Sequence, residues 1–373
     1  MKKYLIIAGE ISGDLHGGNL VRAMRKLNPS IQFAGIGGEN MRQAGVELLY
    51  HIEQLAFMGF AEVVKHIPFI QKVKSEIIEY VKNQNVKEII LIDFPGFNLS
   101  FAKDVKKFGV KIYYYISPQI WAWGKKRITK IRKLVDKMIV VFPFEEKIYR
   151  DEGIDAVFVG HPLLDVISSY KFKTKEEFFS ENGFDPNKRL LVIFPGSRLQ
   201  EIRHILPEVL HAAKKLQNYF DLNVAISGVN SIPQKVYDEL NFYNFPILYG
   251  KNYELMKYSD AGIIKSGTST LESAIFELPF VVVYKTSFLS YWISRFLIQI
   301  DKISLANIVA EEKIVDELIQ KGCDKESIYD SVNKILENED YRNSIKSKFQ
   351  KVKEKLGTPG AAERAAKIIL ENF

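Results

Sequence analysis

Short apolar runs that alternate with amphipathic stretches place the strongest constraint on how this chain can fold. Five such runs precede residue 143 and five more follow residue 188. In chain order the runs are YLIIA (4–8), IQFAGI (31–36), VKEIILI (86–92), VKIYYYI (110–116), MIVVF (138–142), LLVIFPG (190–196), LNVAISG (222–228), FPILYG (245–250), AGIIKSG (261–267) and LPFVVVY (278–284). Parallel strands need crossover connections, usually helices, so this alternation is typical of a parallel sheet. The sequence therefore predicts an α/β protein built from two Rossmann-like units in tandem.

The length of the chain also favours two domains. Its 373 residues, of which 47% are hydrophobic, exceed what a single core usually organises. We expect a first domain over 1–167, a linker with a short helix over the polar and charged segment 168–188, and a second domain over 189–356. The remainder, 357–373, begins with a Gly-Pro break and continues as an alanine-rich helix, which we expect to pack back on the first domain.

Cysteine usage and hydropathy restrict the compartment. Cys323 is the only cysteine, which excludes an internal disulfide and favours a reducing compartment. The start MKKYLIIAGE imitates a signal peptide, but its apolar run is short and Glu10 follows at once, so a first strand is the better interpretation. No apolar run approaches the roughly 18 residues of a membrane span, which predicts a soluble or peripheral protein. The net charge of +7 favours anionic partners without choosing among them.

Ligands of open α/β sheets bind beyond the carboxyl ends of the strands, so the loops that leave the predicted strands are the candidate sites. The first loop, AGEISGDLHGGNL (8–20), is rich in glycine and carries Ser12 and Asp14, yet it matches neither the dinucleotide fingerprint nor the P-loop. A tight strand-to-helix turn is its alternative interpretation. GIGGENM (35–41) lacks the third glycine of the dinucleotide fingerprint, which weakens a nicotinamide hypothesis.

Three further loops carry candidate chemistry. In IDFPGFN (92–98), Asp93 ends a strand and points a carboxylate beyond the sheet, unless it caps the next helix. In FPGSRLQEI (194–202), Arg198 lies in the first turn of a helix, where a cation opposes the macrodipole unless an anion sits between them. The alternative for Arg198 is a surface salt bridge with Glu201. KSGTSTLE (265–272) offers a glycine and hydroxyl groups at a helix start, which suits either a surface loop or an anion site.

Several absent motifs narrow the chemistry further. The sequence contains no D-x-D pair, no HExxH and no GxSxG, and the six histidines show no i,i+4 metal spacing. We therefore expect no metal and no other cofactor. The charge of a departing diphosphate would be neutralised by Arg198 and by helix N–H groups.

Taken together, the loops resemble those of the lipid-A-disaccharide synthases, bacterial glycosyltransferases of lipid A biosynthesis. The matching stretches are AGEISGD (8–14), GIGGENM (35–41), MGFAEV (58–63), IDFPGFN (92–98), YYISPQIWAWGKKR (114–127), PFE (143–145), VGHPLLD (159–165), FPGSRLQEI (194–202), SGTSTLE (266–272) and SLANIVA (304–310). They follow the order of that family nearly from end to end. Phe194 and Ser269 stand where leucine and alanine are expected, and neither change removes a functional group.

The resemblance implies a GT-B-type fold, in which two Rossmann-like domains turn their parallel sheets toward a central cleft. It implies transfer of a diacylglucosamine unit from UDP-2,3-diacylglucosamine to 2,3-diacylglucosamine 1-phosphate, with a β-1,6 bond formed and UDP released. It places the general base of this inverting displacement at Asp93, which as an ionised carboxylate needs no raised pKa.

The residues that the resemblance implies for UDP are Gly196, Ser197, Arg198, Gly267, Thr268, Ser269, Thr270, Glu272 and Asn307. Those implied for the acceptor are Ser12, Gly13, Asp14 and His16.

Because both substrates carry acyl chains, the resemblance also implies a peripheral enzyme on the cytoplasmic, inner face of the bacterial inner membrane. Two stretches suit contact with a membrane surface. IWAWGKKRITKIRK (120–133) joins aromatic residues to charges that attract anionic lipid, whereas SFLSYWISRFLIQI (287–300) is apolar with one arginine. The expected contact residues are Trp121, Trp123, Lys125, Lys126, Lys130, Phe288 and Trp292. The alternatives are a solvated basic face with core aromatics for the first stretch and a buried helix for the second. Nucleic acid is disfavoured because no recognised binding module accompanies the basic stretch.

Two other functions remain open at this level. A UDP-sugar 2-epimerase of the same fold would share the UDP turns but need no lipid surface. A noncatalytic protein that binds nucleotide sugars or membrane surfaces would tolerate loss of the Asp93 carboxylate. Oligomers are possible, and the sequence does not fix their size.

Overall fold

A computed structural model of the chain describes residues 2–55, 66–121, 127–286 and 301–371. The chain divides into two compact units, the first made of Met1–Ser168 with Leu356–Phe373 and the second of Ser169–Lys355. Each unit contains one parallel sheet with helices around it. The predicted α/β class with two Rossmann-like units is confirmed.

The strands form two sheets of seven and six members. The first sheet has the order β3-β2-β1-β4-β5-β6-β7 and the second the order β10-β9-β8-β11-β12-β13. The strands are β1 (Lys3–Ala8), β2 (Gln32–Gly37), β3 (Val46–His51), β4 (Glu88–Ile92), β5 (Lys111–Tyr115), β6 (Lys137–Val140), β7 (Ala156–Phe158), β8 (Leu190–Phe194), β9 (Asn223–Gly228), β10 (Ile247–Tyr249), β11 (Ala261–Lys265), β12 (Phe280–Tyr284) and β13 (Glu317–Ile319). All their pairings are parallel.

The helices connect the strands and continue alone toward the end of the chain. They are α1 (Ile11–Leu27), α2 (Glu39–Gln43), α3 (Ile67–Asn83), α4 (Pro95–Val105), α5 (Ile128–Leu134), α6 (Pro143–Asp151), α7 (Pro162–Ser169), α8 (Lys175–Glu181), α9 (Leu199–Phe220), α10 (Gln234–Leu240), α11 (Asn252–Tyr258), α12 (Thr268–Ile275), α13 (Leu305–Ala310), α14 (Lys325–Glu337), α15 (Glu339–Lys355) and α16 (Ala361–Glu371). Single 3₁₀ turns lie at Ile52–Gln54, Lys106–Phe108 and Gln320–Gly322. Among the described residues, no helix is both long and apolar enough to cross a membrane.

The central strands explain why the apolar runs were so clear. Every residue of β4 and β8 is buried, because helices cover both faces of a parallel sheet. Each of the ten predicted runs contains or overlaps a strand, so those predictions are confirmed. The strands β3, β7 and β13 were not predicted. They are short or partly exposed, and β3, with the sequence VELLYH, mixes polar and apolar residues.

The segment expected to be a linker is packed instead. Residues 169–188 belong to the second unit, and Phe178 and Phe179 of α8 are buried there. Thr174 caps α8 and forms a capping box with Glu177. Burial of two phenylalanines makes this stretch part of the second core rather than a free connection.

The final helix, α16, belongs to the first unit. Its buried face consists of alanines and Ile369, and it packs on α1. The carboxylate of Asp165 in α7 accepts hydrogen bonds from the backbone N–H groups of Gly360, Ala361 and Ala362 at the start of this helix. Asp165 therefore supplies the cap that the sequence of α16 itself lacks.

We expect Asp165→Ala to lower the free energy of unfolding by about 1–3 kcal/mol, since several N–H groups lose their acceptor. Chemical denaturation measures the loss, and hydrogen exchange should show it as faster exchange along α16. Asp340→Ala is the control, because Asp340 is an exposed acidic residue in the first turn of α15. Equal stability of the two variants would contradict the capping role.

Candidate active site

The first candidate site lies where the direction of the chain connections reverses in the first sheet. Strand β1 pairs with β2 on one side and with β4 on the other, and Ala8 is in register with Ile92. Residues that follow these two strands leave the sheet side by side, at the switch point where open α/β sheets bind ligands. Glu10 follows β1 and Asp93 follows β4. The structure thus brings the predicted base to the position where a ligand is expected.

The backbone at Asp93 has an unusual conformation that its neighbours hold in place. Asp93 and Phe94 have φ values of 43° and 47°, in the left-handed region that non-glycine residues rarely occupy. The carbonyl of Asp93 accepts hydrogen bonds from Asn98 Nδ2 at 2.8 Å and from the Tyr114 hydroxyl at 2.6 Å. Such strained residues persist only when surrounding contacts determine them, and they concentrate at functional sites.

Gly9 is required for this arrangement. A Cβ atom at Gly9 would lie 2.2 Å from Cγ of Phe94, so the ring of Phe94 occupies the space that a side chain would need. Phe94 also stacks on Phe97 in α4. The first loop can therefore pack against the Asp93 turn only because Gly9 leaves room for the Phe94 ring.

Asp93 is not a helix cap. The N-cap residue of α4 is Phe94, and no side chain makes a capping hydrogen bond there. The alternative interpretation, in which Asp93 caps this helix, therefore does not hold. Burial, and to a smaller extent the charge of Glu10, raises the pKa of the Asp93 carboxyl to about 6, although the backbone N–H of Phe94 lowers it. An ionised carboxylate base was expected to need no raised pKa, whereas in the structure the pKa of this carboxyl is raised.

Asp14 has a different role from the one expected. Its buried carboxylate accepts hydrogen bonds from the backbone N–H groups of Gly38, Asn40 and Met41, and from the Asn40 side chain, at 2.7–3.0 Å. These four bonds occupy the acceptor positions of a carboxylate. Asp14 thus fixes the turn before α2, and its carboxylate is not free for an acceptor. This corrects its assignment as a ligand.

The other residues expected at the acceptor lie along α1. Ser12 is exposed, while Gly13 is buried, and a Cβ on Gly13 would lie 3.3 Å from Cβ of Ala8. Burial lowers the pKa of His16 to about 4, and burial together with His16 lowers that of His161 to about 3. Both histidines are neutral near pH 7, and Nδ1 of His16 has no hydrogen-bond partner among the described residues. His16 can therefore still offer a neutral imidazole to a ligand.

The second candidate site lies at the corresponding place in the second sheet. Strand β8 pairs with β9 and β11, and Phe194 is in register with Ile264. The turns that follow are residues 195–198 and 266–267, each leading into a helix. Neither α9 nor α12 has a side-chain cap, so their first N–H groups are available to an anion. The two turns predicted to hold a phosphate are therefore neighbours.

An ion-pair cluster joins these two turns. Nζ of Lys265 lies 2.8 Å from Oε1 of Glu201, and a guanidinium nitrogen of Arg198 lies 3.7 Å from the same oxygen. The Glu201 and Lys265 side chains are mostly buried, whereas that of Arg198 is 76% exposed. The pair that was the alternative explanation for Arg198 is thus long and exposed, and such pairs contribute little. Lys265 received no role in the sequence analysis because its partner is distant in the chain.

The hydroxyl residues of α12 divide into free and engaged groups. Thr268 is exposed and Ser269 partly exposed at the helix start, as a phosphate ligand requires. Thr270 is fully buried; its hydroxyl donates to the carbonyl of Gly267 at 2.7 Å and accepts from the N–H of Leu305 at 3.2 Å. Its side chain therefore ties α12 to α13 rather than facing a ligand, which corrects its assignment. Glu272 receives a 3.4 Å hydrogen bond from the Tyr253 hydroxyl, and burial raises the pKa of Glu272.

Asn307 is also a structural residue in this fold. Its side chain is fully buried, and Nδ2 donates to the carbonyl of Val315 and to Glu317. Its Oδ1 accepts from the N–H groups of Ile314 and Val315. Both amide donors and both acceptor positions are used, so nothing remains for a nucleotide. The prediction that the Asn307 side chain binds UDP is wrong for this reason.

Of the expected membrane contacts, only two residues fall within the described ranges. Trp121 packs edge-on against Phe142 and Phe144, and its indole N–H donates to the buried Glu145 at 3.0 Å. Burial raises the pKa of Glu145 to about 7. These contacts support the core-aromatic alternative for Trp121 over an interfacial anchor.

Lys130, the other expected membrane contact that the structure describes, is exposed on α5. The expected contacts Trp123, Lys125, Lys126, Phe288 and Trp292 lie outside the described residues, as does the stretch 58–63.

Comparison with known proteins identifies the family of the chain. The family described as lipid-A-disaccharide synthetase matches residues 4–371. The lipid-A-disaccharide synthase of Syntrophus aciditrophicus is 40% identical over 374 residues, which cover 99% of this chain and 97% of that protein. The lipid-A-disaccharide synthase of Coxiella burnetii is 37% identical over 374 residues, covering 99% of this chain and 98% of the relative.

Solved structures with the same fold are more distant in sequence. UDP-GlcNAc 2-epimerase from Neisseria meningitidis, bound to UDP-GlcNAc, gives a TM-score of 0.70 at 12% identity and covers 99% of this chain and 100% of its own. MurG from Acinetobacter baumannii gives a TM-score of 0.60 at 14% identity with full coverage of both chains. At such identities the likeness concerns the fold alone, whereas the family match and its relatives extend over nearly the whole sequence. The chain belongs to the lipid-A-disaccharide synthase family of glycosyltransferases.

Proposed function

We propose that this protein transfers the diacylglucosamine unit of UDP-2,3-diacylglucosamine to 2,3-diacylglucosamine 1-phosphate, with Asp93 as the general base. The observation that carries the proposal is the Asp93 carboxylate, held in a left-handed turn at the switch point of the first sheet with a pKa of about 6. A general base works best when its pKa lies near the working pH. The environment of Asp93 supports this requirement.

In the proposed reaction, the 6-hydroxyl of the acceptor attacks C1 of the donor sugar. The bond between C1 and the oxygen of the diphosphate breaks, the configuration at C1 inverts, and UDP departs. The hydroxyl proton moves to Asp93 late in the step. The acceptor binds to the first unit, where Ser12 and His16 remain candidates for contacting it.

The second unit holds the UDP moiety. The free N–H groups at the starts of α9 and α12, together with Ser197, Arg198, Thr268 and Ser269, neutralise the diphosphate as its negative charge grows. Gly196 and Gly267 let the backbone approach it closely, and Glu272 accepts hydrogen bonds from ribose hydroxyls. No metal ion is part of this proposal.

Mass spectrometry of the products from the two diacylated substrates tests the function itself. We expect a disaccharide 1-phosphate and stoichiometric UDP. Conversion of unacylated UDP-GlcNAc to its 2-epimer, without disaccharide, would instead identify a UDP-sugar 2-epimerase. Absence of both products with retained UDP binding would identify a noncatalytic protein.

We expect Asp93→Asn to lower transfer by about 10²–10⁴-fold, because the amide keeps the shape of the side chain but has no basicity. UDP affinity should remain within a few-fold, as measured by calorimetry. Asp104→Asn is the matched control, since Asp104 is a carboxylate in α4 of the same unit. One oxygen of Asp104 pairs with Nζ of Lys74 at 2.8 Å. Transfer by Asp93→Asn at the rate of the control would exclude Asp93 as the base.

The raised pKa of Asp93 also makes a prediction about stability. A carboxyl whose pKa is higher in the folded than in the unfolded state destabilises the fold once it is ionised, so this cost is absent below the unfolded pKa and complete above about 6. Asp93→Asn should therefore match the wild type at low pH and exceed its free energy of unfolding by about 1–3 kcal/mol at pH 8. Urea denaturation at both pH values measures the difference. A variant less stable than the wild type at pH 8 would show that the carboxylate is not destabilised by burial.

We further propose that the protein works as a peripheral enzyme on the cytoplasmic face of the inner membrane, because both substrates are lipids. Lys130, Arg132 and Lys133 are exposed on α5, whereas Ile131 between them is buried. The cations therefore lie away from the core, where anionic lipid can attract each with up to about 1 kcal/mol.

Reversal of Lys130, Arg132 and Lys133 to glutamate should weaken sedimentation with anionic vesicles and slow transfer between membrane-embedded substrates. Transfer between detergent-solubilised substrates should remain within about twofold, because charges that act on the bilayer do not touch the reaction. Reversal of the exposed Lys346, Lys351 and Lys353 of α15 is the charge-matched control. An equal effect of both triple variants on vesicle binding would point to net charge instead of α5.

A further inference from the structure

Lys265 lies at the second switch point, and neither its motif nor the proposed function gives its side chain a role. It is the last residue of β11, next to the turn that opens α12. Its side chain is only 17% exposed, and its ammonium lies 2.8 Å from Oε1 of Glu201 and 5.7 Å from the centre of the Tyr284 ring. An ammonium has three donors, and one carboxylate oxygen satisfies one of them.

The cluster carries more positive than negative charge. Arg198 and Lys265 converge on the same oxygen of Glu201, which leaves one positive charge uncompensated. The N-terminus of the 22-residue helix α9 adds the positive end of its dipole at the same place. An ion pair that served stability alone would be neutral, and buried ion pairs contribute little net stability. The excess charge therefore points to an anionic ligand.

The position of Glu201 shows how close this ion pair lies to the Gly196 turn. Glu201 is 91% buried, being 9% exposed, and its Oε2 has no hydrogen-bond partner in the described part of the chain. This oxygen lies against the phosphate-suited turn, because a Cβ atom on Gly196 would be 2.8 Å from it. The same Cβ would be 3.5 Å from Cδ of Lys265. Both side chains thus lie directly at the Gly196 turn, so the Lys265 ammonium is close to a ligand held there.

We propose that Lys265 is a second cation for the diphosphate of the nucleotide donor, held at the Gly196 turn by Glu201. Arg198 is exposed and its ion pair is long, whereas Lys265 is fixed in advance by a close ion pair. An ammonium held in place binds without first losing the rotational freedom of a long side chain. The proposal rests on UDP as the donor nucleotide of the proposed function.

Calorimetric titration with UDP and with uridine separates the diphosphate contact from the rest of the nucleotide. Lys265→Met should weaken UDP binding by about 10–100-fold, the size of a lost charge-assisted hydrogen bond, and uridine binding by less than about threefold. Lys285→Met is the matched control, since Lys285 follows β12 and pairs with Glu208 of the same helix α9 at 3.0 Å. The control should bind both ligands within about twofold of the wild type.

The double variant Lys265→Met with Glu201→Gln guards against misfolding, because it leaves no uncompensated buried carboxylate. It should bind UDP about 10–100-fold more weakly than Glu201→Gln alone. Equal UDP affinity of the double variant and of Glu201→Gln alone would overturn the proposal, since Lys265 would then act only by neutralising Glu201. Equal losses for UDP and uridine, or unchanged UDP affinity in Lys265→Met, would overturn it as well. A wild type that fails to bind UDP would refute the donor assignment instead.

Discussion

Parallel strands can be joined only by crossovers, and this constraint determines where the chemistry of the protein can lie. In each sheet the strand order runs outward from the centre in both directions. The loops that follow one central pair of adjacent strands therefore lead to opposite sides, which leaves a gap between them at the carboxyl ends of the strands. These pairs are β1 with β4 and β8 with β11. Asp93 and Glu10 stand at the first gap, and Arg198, Lys265 and two uncapped helix starts stand at the second. This topology thus determines the positions of the proposed base in the first unit and of the cations proposed for the diphosphate in the second.

The Asp93 turn combines a structural cost with a functional gain. Burial beside Glu10 disfavours the ionised carboxyl, and the left-handed backbone at Asp93 and Phe94 adds strain. The hydrogen bonds of Asn98 and Tyr114 to its carbonyl, and the fit of the Phe94 ring to Gly9, offset these costs. A carboxyl in water would be a weaker base by about two orders of magnitude in proton affinity. The burial that destabilises the ionised Asp93 carboxyl in the fold is thus also the cause of the raised pKa that suits a general base.

The sequence predicted those features that depend on local pattern. Central strands such as β4 and β8 are apolar throughout because both faces are buried, and the loops after them were found by their glycines and polar residues. The strands β3 and β13, half exposed at sheet edges, have no such pattern. Asp14 and Asn307 have the same polarity as ligands, and only the folded chain shows that backbone N–H groups consume their oxygens. Lys265 and Glu145 gain their partners by long-range folding, which local sequence does not reveal.

The switch point of the first sheet holds a desolvated carboxyl, that of Asp93, whose pKa is raised to about 6. A ¹³C NMR titration of protein labelled at the aspartate carboxyl carbons measures this directly, with the Asp93 signal assigned by its absence from Asp93→Asn. We expect an inflection of that signal near pH 6. An inflection at or below the ordinary aspartate pKa, about 3.9, would contradict it, because the carboxyl would then be solvated like any surface aspartate.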